Sequence, residues 1–175
     1  IEVAKVLGLE SVSDTINNGL NPYKYNSSPL GQLINLIEEH NKQFNVIDKL
    51  IIGIGGTITS DLGLGMMQEF NFKLKKSFEY ITINPMNYIY ADSIEYTKPN
   101  LSFNIEIVTD VNNPLLGENG ANYVFGLQKG IKREDLQIFE TGFKNIIKLL
   151  NIDNIDYYNG AGGGVAFALQ YFFNA

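Results

Sequence analysis

Residues 48–54, DKLIIGI, lead directly into residues 53–67, GIGGTITSDLGLGMM, and this junction decides the class of fold. The first segment is a short apolar run typical of a buried strand. The second has glycine at five of the thirteen positions from 53 to 65. Glycine inside a regular element costs about 0.5–1 kcal/mol relative to alanine, so this cluster indicates close backbone packing or a bound ligand. We predict a strand, a glycine turn and a helix that begins near Asp61.

The composition narrows the classes of function. The chain has 175 residues, 45% of them hydrophobic, and a formal net charge of −6 with 13 Lys and Arg residues scattered along it. This length supports one sizeable core in a single domain. A nucleic-acid groove would need a clustered basic face, so we expect no nucleic-acid partner. The lack of cysteine excludes disulfides, thiolate metal sites and a cysteine nucleophile.

No apolar run reaches the roughly 18 residues of a membrane span, and no charged start precedes an apolar segment as in a signal peptide. We therefore expect a cytoplasmic protein without a membrane partner. The alternation of Ile1 and Val3 predicts a strand that is entered midway, and we expect the chain to be part of a longer protein.

Strands and helices alternate along the chain, which is typical of an α/β domain. The predicted elements are a helix at 27–44 with Ser28 as its cap and Pro29 at its first position, strands at 49–54 and 104–110, strands and turns between 72 and 99, a helix at 133–152, and a buried helix after residues 160–164. The helix at 133–152 carries one apolar stripe that we assign to the core: Leu136, Phe139, Phe143, Ile146, Ile147 and Leu150.

The glycine segment after the first strand does not match two common nucleotide motifs. No lysine lies between Lys49 and Lys73, which excludes a P-loop, and a dinucleotide fingerprint would need glycine at Ile58. Free amides at a helix N-terminus attract anions, so this turn would suit a carboxylate or a phosphate. Asp61 is either a helix cap or a functional carboxylate, and the sequence leaves both open.

Residues 109–130, TDVNNPLLGENGANYVFGLQKG, form a second candidate segment. Asp110, Asn112 and Asn113 leave a strand together and present oxygen atoms of the kind that Mg²⁺ or a polyol hydroxyl accepts. Gln128 and Lys129 follow in a turn flanked by glycine, where the ammonium would neutralise a phosphate or carboxylate. Each residue taken singly is also an ordinary turn or surface residue.

The glycines of residues 160–164 are a third candidate segment. They would form either an anion cradle or a close contact between a buried helix and the sheet, and we favour the close contact. The single histidine, His40, lies among charged and polar residues on the first helix, and we expect it to be solvated.

These three segments together resemble the bacterial glycerate kinases of the first class. Residues 53–66 resemble the family pattern G-I-G-G-S-A-T-x-D-G-G-x-G-M, and residues 109–130 resemble C-D-V-D-N-P-L-x-G-x-x-G-A-x-x-V-F-G-P-Q-K-G. The resemblance extends over essentially the whole chain. It implies that residues 1–175 are a single mixed α/β domain, corresponding to the inserted second domain of a two-domain glycerate kinase, with the flanking domain outside this chain.

The resemblance also implies a reaction, in which ATP phosphorylates D-glycerate with the help of Mg²⁺ in the cleft between two domains. It assigns Asp110 and Asp61 to holding the metal or orienting the attacking hydroxyl, and Asn112 to the metal beside Asp110. Lys129 would balance the charge of a phosphate or carboxylate. The residues expected around the substrate are Gly55, Gly56, Thr57, Thr59, Asn113 and Gln128. The hydroxyl that is phosphorylated and the formation of a homo-oligomer stay open.

Several positions depart from the family pattern. Ile58 and Leu62 stand in place of alanine and glycine, Asn112 in place of aspartate, and Pro29 in place of a glycine. These departures support an alternative, in which the chain is a non-catalytic domain that binds a small anion or has a regulatory role. A dinucleotide-dependent oxidoreductase is disfavoured because the fingerprint glycine is missing.

Overall fold

The computed structural model describes residues 1–9, 21–156 and 158–175. The elements in chain order are α1 (Val3–Leu7), α2 (Ser28–Phe44), β1 (Lys49–Gly53), α3 (Leu64–Gln68), β2 (Lys73–Lys76), β3 (Glu79–Ile81), a 3-10 helix (Pro85–Tyr90), β4 (Ser93–Glu95), β5 (Asn104–Val108), α4 (Ala121–Phe125), 3-10 turns at Leu127–Lys129 and Arg133–Asp135, α5 (Leu136–Leu149), a 3-10 turn at Ala161–Gly163 and α6 (Val165–Phe173). Helices and strands contribute to a shared hydrophobic core, so the predicted mixed α/β fold is confirmed.

Two small sheets organise the described part of the chain. Strands β1 and β5 pair in parallel, with Lys49 opposite Asn104 and Gly53 opposite Val108. Strand β2 lies between β3 and β4 in an antiparallel sheet. Because β1 and β5 are parallel neighbours, the segments that follow their carboxyl ends leave the sheet at the same edge.

The chain begins with a helix rather than with the predicted strand. The Gly53 amide donates to the Ile1 carbonyl at 2.8 Å, and Glu2 forms a single parallel bridge with Gly53. From Val3 to Leu7 the chain is α-helical, and the buried residues of this helix are Val3 and Leu7. Side chains four residues apart lie on one helix face, so the strand prediction is wrong beyond Glu2.

The two long helices follow their predicted patterns. Helix α2 begins at Ser28, one residue before the expected first position at Pro29, and Ser27 occupies the N-cap position that we assigned to Ser28. The buried face of α5, continued by Leu150 after its last turn, includes every residue of the predicted stripe: Leu136, Phe139, Phe143, Ile146, Ile147 and Leu150. No helix in the described part of the chain is long and apolar enough to cross a membrane.

The glycines before α6 pack against the segment that follows β1. The Leu62 amide donates to the Gly163 carbonyl at 3.0 Å. A Cβ atom at Gly163 would lie 2.1 Å from the Thr59 carbonyl oxygen, and one at Gly164 would lie 2.6 Å from the Leu62 Cα atom. Both glycines have positive φ angles, 67° and 95°. At these two positions the structure therefore shows the close contact that we favoured over an anion cradle.

We predict that Gly164→Ala destabilises the fold more than Gly117→Ala does. The two glycines have similar φ angles, 95° and 91°, but no atom lies within 4 Å of a Cβ at Gly117. Both variants incur the cost of a left-handed alanine, about 1–2 kcal/mol, and Gly164→Ala adds an overpacking cost of about 1–3 kcal/mol. Urea denaturation of both variants measures the difference. Equal losses would show that the contact with Leu62 is not tight.

Candidate active site

A cleft of about 220 Å³ is lined by residues that follow β1 and β5. The predicted site residues that line it are Gly55, Gly56, Thr57, Asp110, Gln128 and Lys129. Leu9 and Phe125 contribute apolar walls. The structure thus brings the first two candidate segments together, although they are far apart in sequence.

The turn at residues 55–57 presents backbone donors. The amides of Gly55, Gly56 and Thr57 donate no hydrogen bond to the described residues, whereas the flanking Ile54 and Ile58 amides both donate to backbone carbonyls. Gly56 has a φ angle of 57°, which is the left-handed region that favours glycine. Successive unpaired amides make an anion-binding concavity.

Lys129 lies at the cleft with its side chain buried. Its Nζ atom donates to the Thr59 carbonyl oxygen at 2.7 Å and to the Thr57 Oγ1 atom at 3.1 Å. An ammonium has one more N–H than these two contacts use, so a donor remains for a ligand. Burial lowers the pKa of Lys129 to about 8, and the charge of Asp61 opposes this shift.

Asp61 lies outside the cleft lining, contrary to our expectation that it shares a cleft with Asp110. Its side chain is 1% exposed because the segment after β1 turns into the core before it reaches this residue. Its carboxylate accepts four hydrogen bonds, from the Ser27 amide and hydroxyl at 2.7 and 2.8 Å and from the Gly63 and Gly65 amides at 3.2 and 3.1 Å. Burial raises the pKa of Asp61, and these hydrogen bonds oppose the shift.

Three other predicted residues also lie outside the cleft lining. The Thr59 side chain is fully buried, with its hydroxyl 3.5 Å from the Gly162 carbonyl oxygen. The Asn113 side chain donates to the Asn119 carbonyl at 3.0 Å, so it shapes the loop after β5. Asn112 is exposed and does not line the cleft. Direct contact of these side chains with a ligand in the cleft is therefore not supported by their positions.

Asp110 is the carboxylate in the cleft lining that could hold a metal. No three acidic or histidine side chains come together in residues 1–9, 21–156 and 158–175. Asp110 is exposed and has no hydrogen-bond partner among these residues. Mg²⁺ in kinases is commonly bound by one or two carboxylates together with substrate phosphates. A lone carboxylate at the cleft therefore fits a magnesium ion whose other ligands are phosphate oxygens and water.

Sequence reasoning missed two buried polar residues behind the cleft, Asn122 and Glu140. Glu140 lies on the apolar face of α5, four residues after Leu136 and three before Phe143. A carboxylate within an apolar helical stripe is a signal of a buried partner, because an unpaired buried charge is costly. The sequence held this signal for Glu140, whereas Asn122 has no comparable pattern.

We predict that Asp61→Asn and Asp110→Asn affect stability very differently. An asparagine at position 61 would direct an NH₂ group toward existing donors, and we expect the free energy of unfolding to fall by about 2–4 kcal/mol. Asp110 is exposed and has no partner in the part of the chain that the structure describes, so its variant should stay within about 0.5 kcal/mol. Urea denaturation at pH 7 tests this contrast. Similar effects for the two variants would contradict the structural role of Asp61.

Comparison with known proteins identifies the family of this chain. The profile of the glycerate kinase family matches residues 1–175. Glycerate 2-kinase of Escherichia coli (strain K12) is 33% identical over 187 residues, covering 100% of this chain and 46% of that protein. Glycerate kinase of Haemophilus influenzae is 30% identical, covering 95% of this chain and 43% of that protein.

A solved structure is also similar. A crystal structure from Salmonella typhimurium LT2, assigned as a glycerate kinase 2, has a TM-score of 0.81 and 32% identity, covering 99% of this chain and 47% of that one. The chain spans about half the length of these relatives. Because the family profile matches it from end to end, the chain belongs to the glycerate kinase family.

Proposed function

We propose that this chain supplies the acid-binding wall of a kinase that transfers a phosphoryl group from ATP to D-glycerate. One observation carries the proposal: the amides of residues 55–57, which have no partner among the described residues, and the buried ammonium of Lys129 border the same cleft. Backbone amides and a desolvated cation together suit a carboxylate. The names of the relatives, glycerate kinase and glycerate 2-kinase, agree with that ligand.

Phosphoryl transfer depends on positioning and on neutralising charge, with little covalent work by the protein. In this proposal the glycerate carboxylate accepts from the amides of residues 55–57 and from Lys129. Gln128 contacts a glycerate hydroxyl, and Asp110 orients the attacking hydroxyl or holds Mg²⁺. The bound metal would supply charge neutralisation at the phosphate oxygens.

Asp61 and two neighbours act indirectly in this proposal. The buried Asp61 carboxylate favours the protonated form of Lys129. The Thr59 carbonyl fixes the position of the ammonium through a 2.7 Å hydrogen bond. Asn113 shapes the loop that carries Asp110. These residues therefore order the groups that contact substrate without contacting it themselves.

We further propose that a second domain completes the site and provides most of the ATP contacts. The relatives are about twice as long as this chain. Closure of two domains commonly aligns the reactants and excludes water. On this account the 175 residues alone fold and bind glycerate weakly, but transfer no phosphoryl group.

One observation favours the alternative of a non-catalytic domain. Leu62 occupies a position where the family pattern has glycine, and its φ angle of 59° is unusual for leucine. A left-handed non-glycine residue costs about 1–2 kcal/mol. The departure from the family glycine at Leu62 therefore introduces backbone strain in the segment that follows β1. Binding without turnover in a two-domain protein would identify this alternative.

We predict that Lys129→Met weakens glycerate binding about 10- to 100-fold, the value of one hydrogen bond to a charged group. In the unaltered chain, affinity should fall as the pH rises from 7 to 9.5, because an ammonium with a pKa of about 8 loses its proton over this range. The glycerate affinity of Lys129→Met should not fall over this pH range. Isothermal titration at a series of pH values measures both effects.

The matched control is Lys132→Met, which alters an exposed lysine close in sequence. It should leave both the affinity and its pH dependence unchanged. Asp61 is buried near Lys129, and its charge raises the pKa of the ammonium against the effect of burial. An unaltered affinity in Lys129→Met would contradict the assignment of the ammonium to the ligand.

We predict that Asp110→Asn, in a protein that joins this chain to its second domain, lowers turnover about 10²–10⁴-fold, the usual value of a general base. Folding should be unaffected, because the side chain is exposed and unpaired among the described residues. A coupled assay of ADP release with glycerate, ATP and Mg²⁺ gives the rate. Unchanged turnover would remove Asp110 from the mechanism, and sustained turnover by the 175 residues alone would contradict the need for a second domain.

A further inference from the structure

A buried polar pair lies behind the cleft and takes no part in the proposed ligand contacts. Glu140 on α5 is 1% exposed and Asn122 on α4 is fully buried. Burying a carboxylate is unfavourable, and a well-packed apolar residue often gives an equally stable core. The position of this pair therefore calls for an explanation beyond packing.

The two side chains form a continuous hydrogen-bond network. The Glu140 Oε1 atom accepts from the Gly117 amide at 2.8 Å and lies 3.4 Å from the Lys144 Nζ atom. Its Oε2 atom accepts from the Asn122 Nδ2 atom at 3.3 Å. The Asn122 Oδ1 atom accepts from the Ser60 hydroxyl at 3.3 Å. We call this set the Glu140 network.

The ends of the Glu140 network lie in the two segments that line the cleft. Ser60 follows Thr59, whose carbonyl accepts from the Lys129 ammonium. Gly117 lies in the loop that follows Asp110 and β5. A single buried carboxylate thus connects the segment that holds the cation to the loop that presents the cleft carboxylate.

The direction of each hydrogen bond follows from the carboxylate. An ionised carboxylate only accepts, so the Asn122 side chain must direct its NH₂ group toward Glu140 and its oxygen toward Ser60. This orientation requires the Ser60 hydroxyl to donate to Asn122. A change at Glu140 would therefore alter the network as far as Ser60, beside the carbonyl that contacts Lys129.

We infer that Glu140 and Asn122 are positioning residues, which hold residues 57–61 at a set distance from residues 109–120 so that both segments contact one ligand. This inference rests on the proposed function, because it takes the cleft to be the glycerate site. It assigns to α5 a role in substrate binding although no residue of α5 lines the cleft.

The test compares Glu140→Gln with the double variant Glu140→Gln, Asn122→Asp. In the single variant an NH₂ group replaces one acceptor and the charge is lost, so the Asn122 amide must turn over and the Ser60 hydroxyl must accept a hydrogen bond where it donated one. In the double variant the introduced aspartate accepts from both the introduced glutamine amide and the Ser60 hydroxyl, and the number of charges returns to its original value. Glu134→Gln, which alters an exposed glutamate, is the matched control.

Glycerate affinity by titration and amide hydrogen exchange of residues 57–61 and 109–120 are the two readouts, both on the 175-residue chain. We expect Glu140→Gln to lower affinity about tenfold, the lower value for a hydrogen bond to a charged group, and to speed exchange in both segments. The double variant should restore most of the affinity and most of the protection from exchange. The control Glu134→Gln should change neither the affinity nor the exchange. Ser60→Ala, which removes only the last hydroxyl, should speed exchange in residues 57–61 alone.

Two results would overturn the inference. One is unchanged exchange in both segments for Glu140→Gln and Ser60→Ala. The other is a loss of affinity that the double variant does not restore. If the unaltered chain binds no glycerate, the proposed function fails, and the exchange measurements alone then decide whether the network positions the two segments.

Discussion

The buried carboxylate of Asp61 is the constraint on which the arrangement around the cleft depends. It accepts four hydrogen bonds from three residues: Ser27, before α2, and Gly63 and Gly65, at the start of α3. The Tyr88 hydroxyl donates to the Asp61 carbonyl at 2.8 Å. A buried anion is tolerated when donors surround it and a cation lies nearby, and Lys129 provides that cation. These contacts therefore fix the position of the segment after β1 where it enters the core.

In this account, function depends on the groups of the segment after β1 that remain accessible at the cleft. Residues 55–57 border the cleft with amides that are unpaired among the described residues. Thr59 and Asp61 are buried: the Thr59 carbonyl accepts from Lys129, and the charge of Asp61 favours the protonated form of Lys129. Gly163 and Gly164 permit the close approach of the turn before α6 to this segment. The cleft therefore has fixed donors on one side and the carboxylate of Asp110 among its lining, an asymmetry suited to a small hydroxy acid.

Local patterns predicted most of the elements and part of the cleft lining, and long-range contacts determined the rest. Strands β1 and β5 and the stripe of α5 followed from periodicity, and the glycine segments marked the residues that line the cleft. The orientation of Asp61 was not predictable, because its partner Ser27 lies 34 residues away and no pattern links the two. The first helix was missed because two alternating residues are too few to distinguish a strand from a helix turn.

The most direct measurement of the central claim is a crystal structure of this chain with D-glycerate. The account predicts that the glycerate carboxylate lies within hydrogen-bond distance of the amides of residues 55–57 and of the Lys129 Nζ atom, with its hydroxyl groups toward Asp110. Glycerate bound at another surface, or a cleft that stays empty at millimolar glycerate while the crystal remains intact, would contradict it.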